Sequence, residues 1–327
     1  MLITTPSNRE YPLRILNIRY RDQDVVVQLD SSHTFYDWSL PEGVSEDEVE
    51  VYLRFIDRRM RLVRGVAPIC LKKSVRGVGV WTALTEYHTR EACNERISQR
   101  KKNPVVLPLF VYYHAALMHG WQAIVEEQFR LFSFVGLRTI YSGVIGDAEA
   151  LKDMAAAHGI NLTVVENSRF LTDYEMPTIR ALWQHACRES AAFMYTHTKN
   201  VSHPDYAGGN AWRRLMSLYV IVDWQENLKL LSEFDVVGAN WHDDIHFPHF
   251  HGNFWMARGD WLAHLPDPMT YRDKNLKSRM GGQNFHRMFA EAFIACCPYI
   301  HFNSLCCENE NWSDASRLYT IPGFTYE

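Results

Sequence analysis

The sequence predicts an α/β protein: a mostly parallel sheet flanked by helices, preceded by a smaller N-terminal α+β annex. Three observations predict it. From Pro104 onward, short runs of β-branched and aromatic residues alternate with amphipathic stretches of helical length. Charge divides at the same place: residues 1–53 sum to −6, residues 54–102 to +9, and the remainder to −7, in a chain of net charge −4. Finally, 327 residues at 47% hydrophobic and 22% charged can bury one large core with an annex, and are not the composition of a disordered chain.

In the annex, Arg14 to Leu29 alternates through Ile15, Ile18, Val25, Val26 and Val27 around Asp22-Gln23-Asp24, which predicts a hairpin. Ser45 and Glu48 form a capping-box pair, and Val49, Leu53, Ile56, Met60 and Val63 share one stripe. That pattern predicts an amphipathic helix ending near Gly65. Asn103-Pro104 then sets the boundary between an annex of 1–103 and a main domain of 104–327. Val105 to Tyr113 is a continuous apolar run, suited to a strand covered on both faces. A helix from Trp121 to Phe134 follows and closes at Gly136. Next come a strand from Arg138 to Val144, a helix from Ala148 to Ala157 closed by Gly159, and a strand from Asn161 to Val165. The helix from Pro177 to Arg188 begins with proline in its first turn. A strand from Ala191 to Thr196, a long helix from Asn210 to Leu231, a short strand from Phe234 to Ala239 and a helix from Phe285 to Ile294 complete the pattern.

Several function classes lose support at once. No apolar run reaches the roughly 18 residues of a membrane span and no charged start leads into an apolar signal core, so the expected setting is cytoplasmic. Seven cysteines make a disulfide framework improbable; the adjacent pairs Cys296-Cys297 and Cys306-Cys307 lack zinc spacing and read as buried free thiols. No GxGxxG follows the first strand and no Walker lysine is present, which counts against dinucleotide and P-loop sites. Ten Trp and sixteen Tyr suit a core together with a surface that stacks on flat rings or sugar faces.

In a parallel sheet, ligands gather at the carboxyl ends of the strands. Those ends carry Tyr112, Tyr113 and His114; then Gly143, Gly146 and Asp147; then Glu166 and Asn167; then His197, Thr198, Lys199 and Asn200. The fourth is the most informative, because a buried strand emerges there into an imidazole, a hydroxyl and an ammonium. Lys199 can neutralise a diphosphate, to which His197 and Thr198 can donate hydrogen bonds. Read from composition alone, the same residues are a strand end with a solvated lysine.

The segments VYYHAAL, GVIGD, YTHTKN, AWRRLM, FDVVGANW and HFHGNFWMARGDWLAHL occur in this order up to Leu265. Together they resemble nucleotide-sugar glycosyltransferases of the GT-A fold, in the bacterial and viral group with a Tyr-x-His-Thr-Lys element related to rhamnan-synthesis proteins. The resemblance spans about half the chain and leaves the first hundred residues outside it. It implies a GT-A-like, Rossmann-like catalytic domain and transfer of a sugar from a nucleoside diphosphate to a hydroxyl acceptor in glycan or polysaccharide synthesis. Tyr112, Tyr113, His114, Gly146, Asp147, Glu166, His197, Thr198 and Lys199 would form the donor side. Many GT-A enzymes hold a divalent ion with Asp-x-Asp where this chain has His197-Thr198-Lys199. A charged lysine is no metal ligand, so no metal cofactor is expected.

The stretch Trp241 to His251 carries His242, Asp243, Asp244, His246, His249 and His251. Its spacing matches no helical HExxH and no zinc finger, so contacts to acceptor or donor are the preferred reading, from Trp241, His242, His251, Asn253 and Trp255. A structural loop is the plain alternative, and core packing competes for Trp255. A base must take the acceptor proton. Glu291, an acid among apolar neighbours, is the first choice and Asp243 or Asp244 the second; otherwise Glu291 is a helix acid paired with Arg287.

The expected partners are thus a nucleotide-sugar donor and a saccharide or other hydroxyl acceptor. The basic stretch (Arg54, Arg58, Arg59, Arg61, Arg64, Lys72, Lys73, Arg76, Arg100, Lys101, Lys102) suits an anionic acceptor, or is simply a solvated face. Three alternatives stand beside this reading. They are a DNA-modifying glycosyltransferase acting on hydroxylated bases, a metal-dependent hydrolase built on His242, His246, His249 and His251, and a non-catalytic glycan- or nucleic-acid-binding protein.

Overall fold

The structure, a computed structural model, describes residues 2–4, 13–29, 35–45, 48–56, 69–70, 90–103, 107–203, 205–243, 248–277, 285–297, 300–306, 321 and 323–326. The chain forms two compact units. One comprises residues 1–84, 243–248 and 271–282, the other residues 85–242, 249–270 and 283–327.

In the first unit, β1 (Leu2–Thr4) and β4 (Phe35–Asp37) pair antiparallel. A four-stranded antiparallel sheet runs in the order β3-β2-β5-β6, from β2 (Leu13–Tyr20), β3 (Gln23–Leu29), β5 (Val49–Ile56) and β6 (Ile69–Cys70). The predicted hairpin is present. Tyr20 pairs with Gln23 across a two-residue turn whose first residue, Arg21, has φ 50°. The predicted helix after Ser45 is a strand instead. Ser45 N still donates to the Glu48 carboxylate at 2.9 Å, so the capping-box contact forms, but the chain runs on into β5 along the free edge of β2. Val49 and Val51 are both buried, a period of two that the apolar stripe at helical spacing had masked. Residues 57–65 of that expectation lie outside the described residues.

The second unit is α/β. Seven strands lie in the order β15-β11-β14-β10-β7-β8-β9: β7 (Leu109–Ala116), β8 (Thr139–Ile145), β9 (Asn161–Ser168), β10 (Ala192–His197), β11 (Val236–Gly238), β14 (Trp255–Arg258) and β15 (Phe302–Ser304). Only β14 runs against its neighbours; β15/β11, β10/β7, β7/β8 and β8/β9 are all parallel. A separate pair, β12 (Trp241–Asp243) and β13 (Pro248–Phe250), follows β11. The helices Trp121–Phe134, Ala148–Ala157 and Met176–Ala186 connect consecutive parallel strands; the first two join the core through Val125, Phe129, Phe132 and Leu151, and the third buries Met176, Ile179 and Leu182. The long helix expected from Asn210 to Leu231 is divided into Ala207–Ser217 and Trp224–Leu230 by a π turn, Leu218–Val222. There Asp223 N reaches back to Leu218 O, and Asn227 Nδ2 donates to Tyr219 O at 2.6 Å, which occupies a carbonyl freed by the widened turn.

The helix Arg90–Lys102, in the basic stretch, belongs to this unit. Asp235, fully buried before β11, meets Arg100 at 2.7 Å and Arg96 at 3.2 Å; Arg100 also reaches Asp260, and Lys101 pairs with Glu233. Arg100 and Lys101, two of the cations named as a surface for anions, are therefore spent on acids of their own unit, as is Arg96 beside them. Arg100→Ala is expected to destabilise the protein by about 3 kcal/mol in urea unfolding, because Asp235 loses its nearest counter-charge inside the protein. Lys101→Ala, at an exposed pair, should change stability by less than about 1 kcal/mol.

Candidate functional site

The strand order reverses between β7 and β10, since the second and third strands of the sheet lie on one side of the first and the fourth on the other. The crevice at such a switch point is where open α/β sheets bind ligands. Register places His114 directly opposite His197. Beyond the strands the pairing continues through Thr198 N to His114 O (3.0 Å) and Ala116 N to Thr198 Oγ1 (2.9 Å).

A buried polar cluster forms on this face. His114 Nδ1 contacts Thr178 Oγ1 at 2.8 Å, and Gly143 leaves the room: a Cβ there would lie 1.9 Å from that oxygen. His197 Nε2 faces the Gly252 carbonyl at 2.9 Å, which can only accept, so the imidazole carries its proton there. Nδ1 then turns towards Glu175 Oε1, 3.7 Å away. Glu175 sits at the N-cap of the helix Met176–Ala186 but caps nothing. Its other oxygen accepts from Tyr195 OH (2.9 Å) and Asn253 Nδ2 (2.7 Å), while Asn253 Oδ1 accepts from Trp255 Nε1 (2.8 Å). Burial raises the Glu175 carboxyl above the usual range, with Glu291 adding to the effect. Burial also pushes His114 down to about 4, and burial together with the Lys199 ammonium pushes His197 down to about 3.

Next to this cluster lies a second group. Lys199 Nζ is 3.8 Å from Glu291 Oε1 and 4.2 Å above the ring of Trp212; His249 Nε2 is 3.8 Å from Glu291 Oε2. Glu291 is 8% exposed, and its Oε2 has no hydrogen-bond partner among the described residues. The rings of Trp212 and His251 meet edge to face at a centroid distance of 4.3 Å. A buried carboxylate, an ammonium, an imidazole and an indole thus converge from the helix Phe285–Phe293, the end of β10, β13 and the helix Ala207–Ser217. Separations of 3.8 Å are too long for hydrogen bonds and leave the carboxylate able to accept one.

An open cavity of about 440 Å³ lies at the carboxyl ends of β7, β8 and β9, lined by Leu117, His119, Ile145, Gly146, Ser168 and Arg169, among others. Gly146, at φ 124°, is required there by backbone conformation and by the close approach of Leu117.

The expected site residues divide accordingly. His114, His197, Thr198, Lys199, Glu291, His251, Asn253 and Trp255 all lie in or against the two clusters. Tyr112 and Tyr113 do not face a common ligand. Alternation sends Tyr112 to His185 (3.0 Å) and Tyr113 to Gln128 (2.7 Å), and both rings are core. Asp147 is spent as an N-cap, accepting from the amides of Glu149 and Ala150, and Glu166 is exposed on the edge strand β9. Trp241 stacks on Phe302 at 3.8 Å, and Trp255 stacks fully buried on Tyr195, so each spends its ring on internal packing. His242 and Asp243 contribute backbone to β12, while Asp244, His246 and Cys307 lie outside the described residues. Cys296, Cys297 and Cys306 are buried free thiols. The rings of His249 and His251 are 5.8 Å apart, and among the described residues no three His, Cys, Asp or Glu side chains could share a metal ion. Sequence reasoning missed Glu175, Thr178, His249 as a partner of Glu291, and Trp212. The one signal available for Glu175 was an acid at a helix start with no need of it as a cap.

Residues 111–299, more than half of the chain, match the family model described as a domain of unknown function (DUF8361). Comparison with curated proteins found none that matches.

The two imidazoles generate a pH prediction. Folded, both are neutral down to about pH 4 or below, whereas unfolded they protonate near pH 6.5. The unfolded chain therefore binds more protons in that window, and stability falls as pH falls through it. Between pH 7 and pH 5, His114 alone should remove about 2 kcal/mol from urea-derived stability. Glu175, with its raised pKa, acts in the opposite sense above about pH 4.5. His114→Gln should flatten the profile by about the His114 amount; an unchanged slope would contradict the assignment.

Proposed function

The chain belongs to the DUF8361 family, and we propose that it is a glycosyltransferase moving a sugar from a nucleoside-diphosphate donor to a hydroxyl acceptor in glycan synthesis. The observation that carries the reading is the group Lys199, Glu291 and Trp212 at the carboxyl end of β10, beside the switch point of a mostly parallel sheet. The cavity at the ends of β7 to β9 supports it, being large enough for a nucleoside and bearing Arg169.

In this mechanism the acceptor oxygen forms a bond to the anomeric carbon while the bond from that carbon to the diphosphate oxygen breaks. Glu291 takes the acceptor proton on the face opposite the leaving group, which gives inversion. The electron pair leaves with the diphosphate, whose growing charge Lys199 neutralises. Trp212 and His251 place aromatic surface beside the reacting groups, where a saccharide ring would pack. The Glu175 cluster fixes the turn after β10, since the Lys199 amide bonds the His197 carbonyl at 2.8 Å and His197 is itself held by Gly252. A saccharide acceptor is favoured over DNA because Arg96, Arg100 and Lys101 are engaged internally.

Incubation with a panel of nucleotide sugars, read by release of nucleoside diphosphate, tests this directly. Turnover is expected to survive EDTA. Lys199→Ala should lower kcat/KM at least tenfold, about 1.4 kcal/mol of transition-state stabilisation. Glu291→Gln should lower kcat by about 100-fold or more. Inertness towards every donor, with no nucleoside diphosphate bound, would sink the reading. Loss in EDTA with rescue by Mn²⁺ would overturn the metal-independent mechanism.

A further inference from the structure

Lys199 is already occupied. Its ammonium lies between the Glu291 carboxylate, at 3.8 Å, and the face of Trp212, at 4.2 Å, and Nζ makes no hydrogen bond among the described residues. Glu291, for its part, is buried with Oε2 lacking a hydrogen-bond partner among those residues, so the Lys199 ammonium is the charge positioned to balance it, with the His249 ring 3.8 Å from Oε2. One lysine cannot stay with this carboxylate and also sit on a diphosphate, because an ammonium is a compact point charge on a flexible stem. The loose 3.8 Å separation and the absence of a hydrogen bond make the resident pair exchangeable; a tight charge-assisted contact would be shorter, at about 2.7–2.9 Å.

We propose that Glu291 is the resident anion of a diphosphate-binding lysine, and that an incoming diphosphate group displaces it from Lys199. This rests on the glycosyltransferase reading and adds an order of events to it. Before donor binds, the carboxylate is held by Lys199; once the ammonium moves to the diphosphate, the carboxylate is released to accept the proton of the acceptor hydroxyl. Trp212 is the resting place that the ammonium leaves, since the cation–π contact holds the charge without competing hydrogen bonds.

Binding of inorganic pyrophosphate to the full chain, measured by calorimetry at pH 7 in magnesium-free, low-salt buffer, decides the matter. The wild type should bind weakly, Glu291→Gln about tenfold more tightly, and Lys199→Met not measurably. Tightening on removal of an acid that supports the fold is the opposite of what a merely structural role predicts. Equal or weaker binding by Glu291→Gln, with binding lost in Lys199→Met, would overturn the exchange and leave Lys199 as a diphosphate ligand. No binding by wild type or Glu291→Gln would overturn both. Should Glu291→Gln fail to fold, the emission of Trp212, obtained as the difference between wild type and Trp212→Phe, provides the second measurement. It should change on saturation of the wild type with pyrophosphate, and an unchanged difference would overturn the exchange.

Discussion

The parallel pairing of β7 with β10 is the constraint on which the rest of the α/β unit depends. Six consecutive pairs, from Leu109 with Ala192 to His114 with His197, fix the register. The side chain of Thr198 extends it by one more hydrogen bond after the strand has ended. Because paired residues on parallel strands share a face, this register sets Tyr112 beside Tyr195 and His114 beside His197. A slip of one residue would turn every one of these side chains to the opposite face. The helix Met176–Ala186 can then bring Thr178 and Glu175 to the same side, and the switch in strand order leaves the ends of the two strands uncovered for a ligand.

The polar cluster built on this register is buried yet highly connected. Burying a carboxylate and two imidazoles opposes their charged forms, and the chain meets this by keeping the imidazoles neutral and giving Glu175 two neutral donors. Tyr195, Asn253, Trp255 and Gly252 supply the remaining bonds from β10 and from the turn leading into β14. That turn requires unusual backbone. Asn253 lies at φ 61° and Gly252 at φ 92°, where a Cβ would meet the Met216 sulfur at 2.4 Å. A buried hydrogen-bonded network of this kind is directional, so it orients the residues that follow it, Lys199 above all.

A second network positions the other wall. Glu127 accepts from both Arg213 (3.0 Å) and Arg214 (2.6 Å), and Arg213 also bonds Asn210, which pins the helix Ala207–Ser217 to the helix Trp121–Phe134. Trp212 immediately precedes those two arginines in sequence and so inherits a fixed place. Gln128, one residue beyond Glu127, links the Tyr113 hydroxyl to the His197 carbonyl. Core, helix and strand end are thus joined through adjacent residues of one helix. A glutamate–arginine pair and an amide bridge do what an apolar stripe alone could not, because dispersion contacts set distance but not orientation.

The sequence by itself determined the elements whose signals are local. The helices Trp121–Phe134 and Ala148–Ala157 fall where their apolar spacing and closing glycines put them, and the hairpin of β2 and β3 follows from alternation and turn chemistry. His114, His197, Thr198 and Lys199 were legible as strand ends because a buried run that breaks into polar residues marks its own exit from the core. What needed the tertiary structure was anything settled by a partner distant in the chain. Val49 to Ile56 is a strand because β2 presents an unpaired edge, and no local pattern records that edge. Tyr112 and Tyr113 are core because helices on either face claim them. Glu175 and His249 stand 22 and 52 residues from the strand end they serve, and only the crossing of helix, strand and turn brings them there. A local pattern fixes the period of an element. The face it shows, and the charge it meets, belong to whatever packs against it.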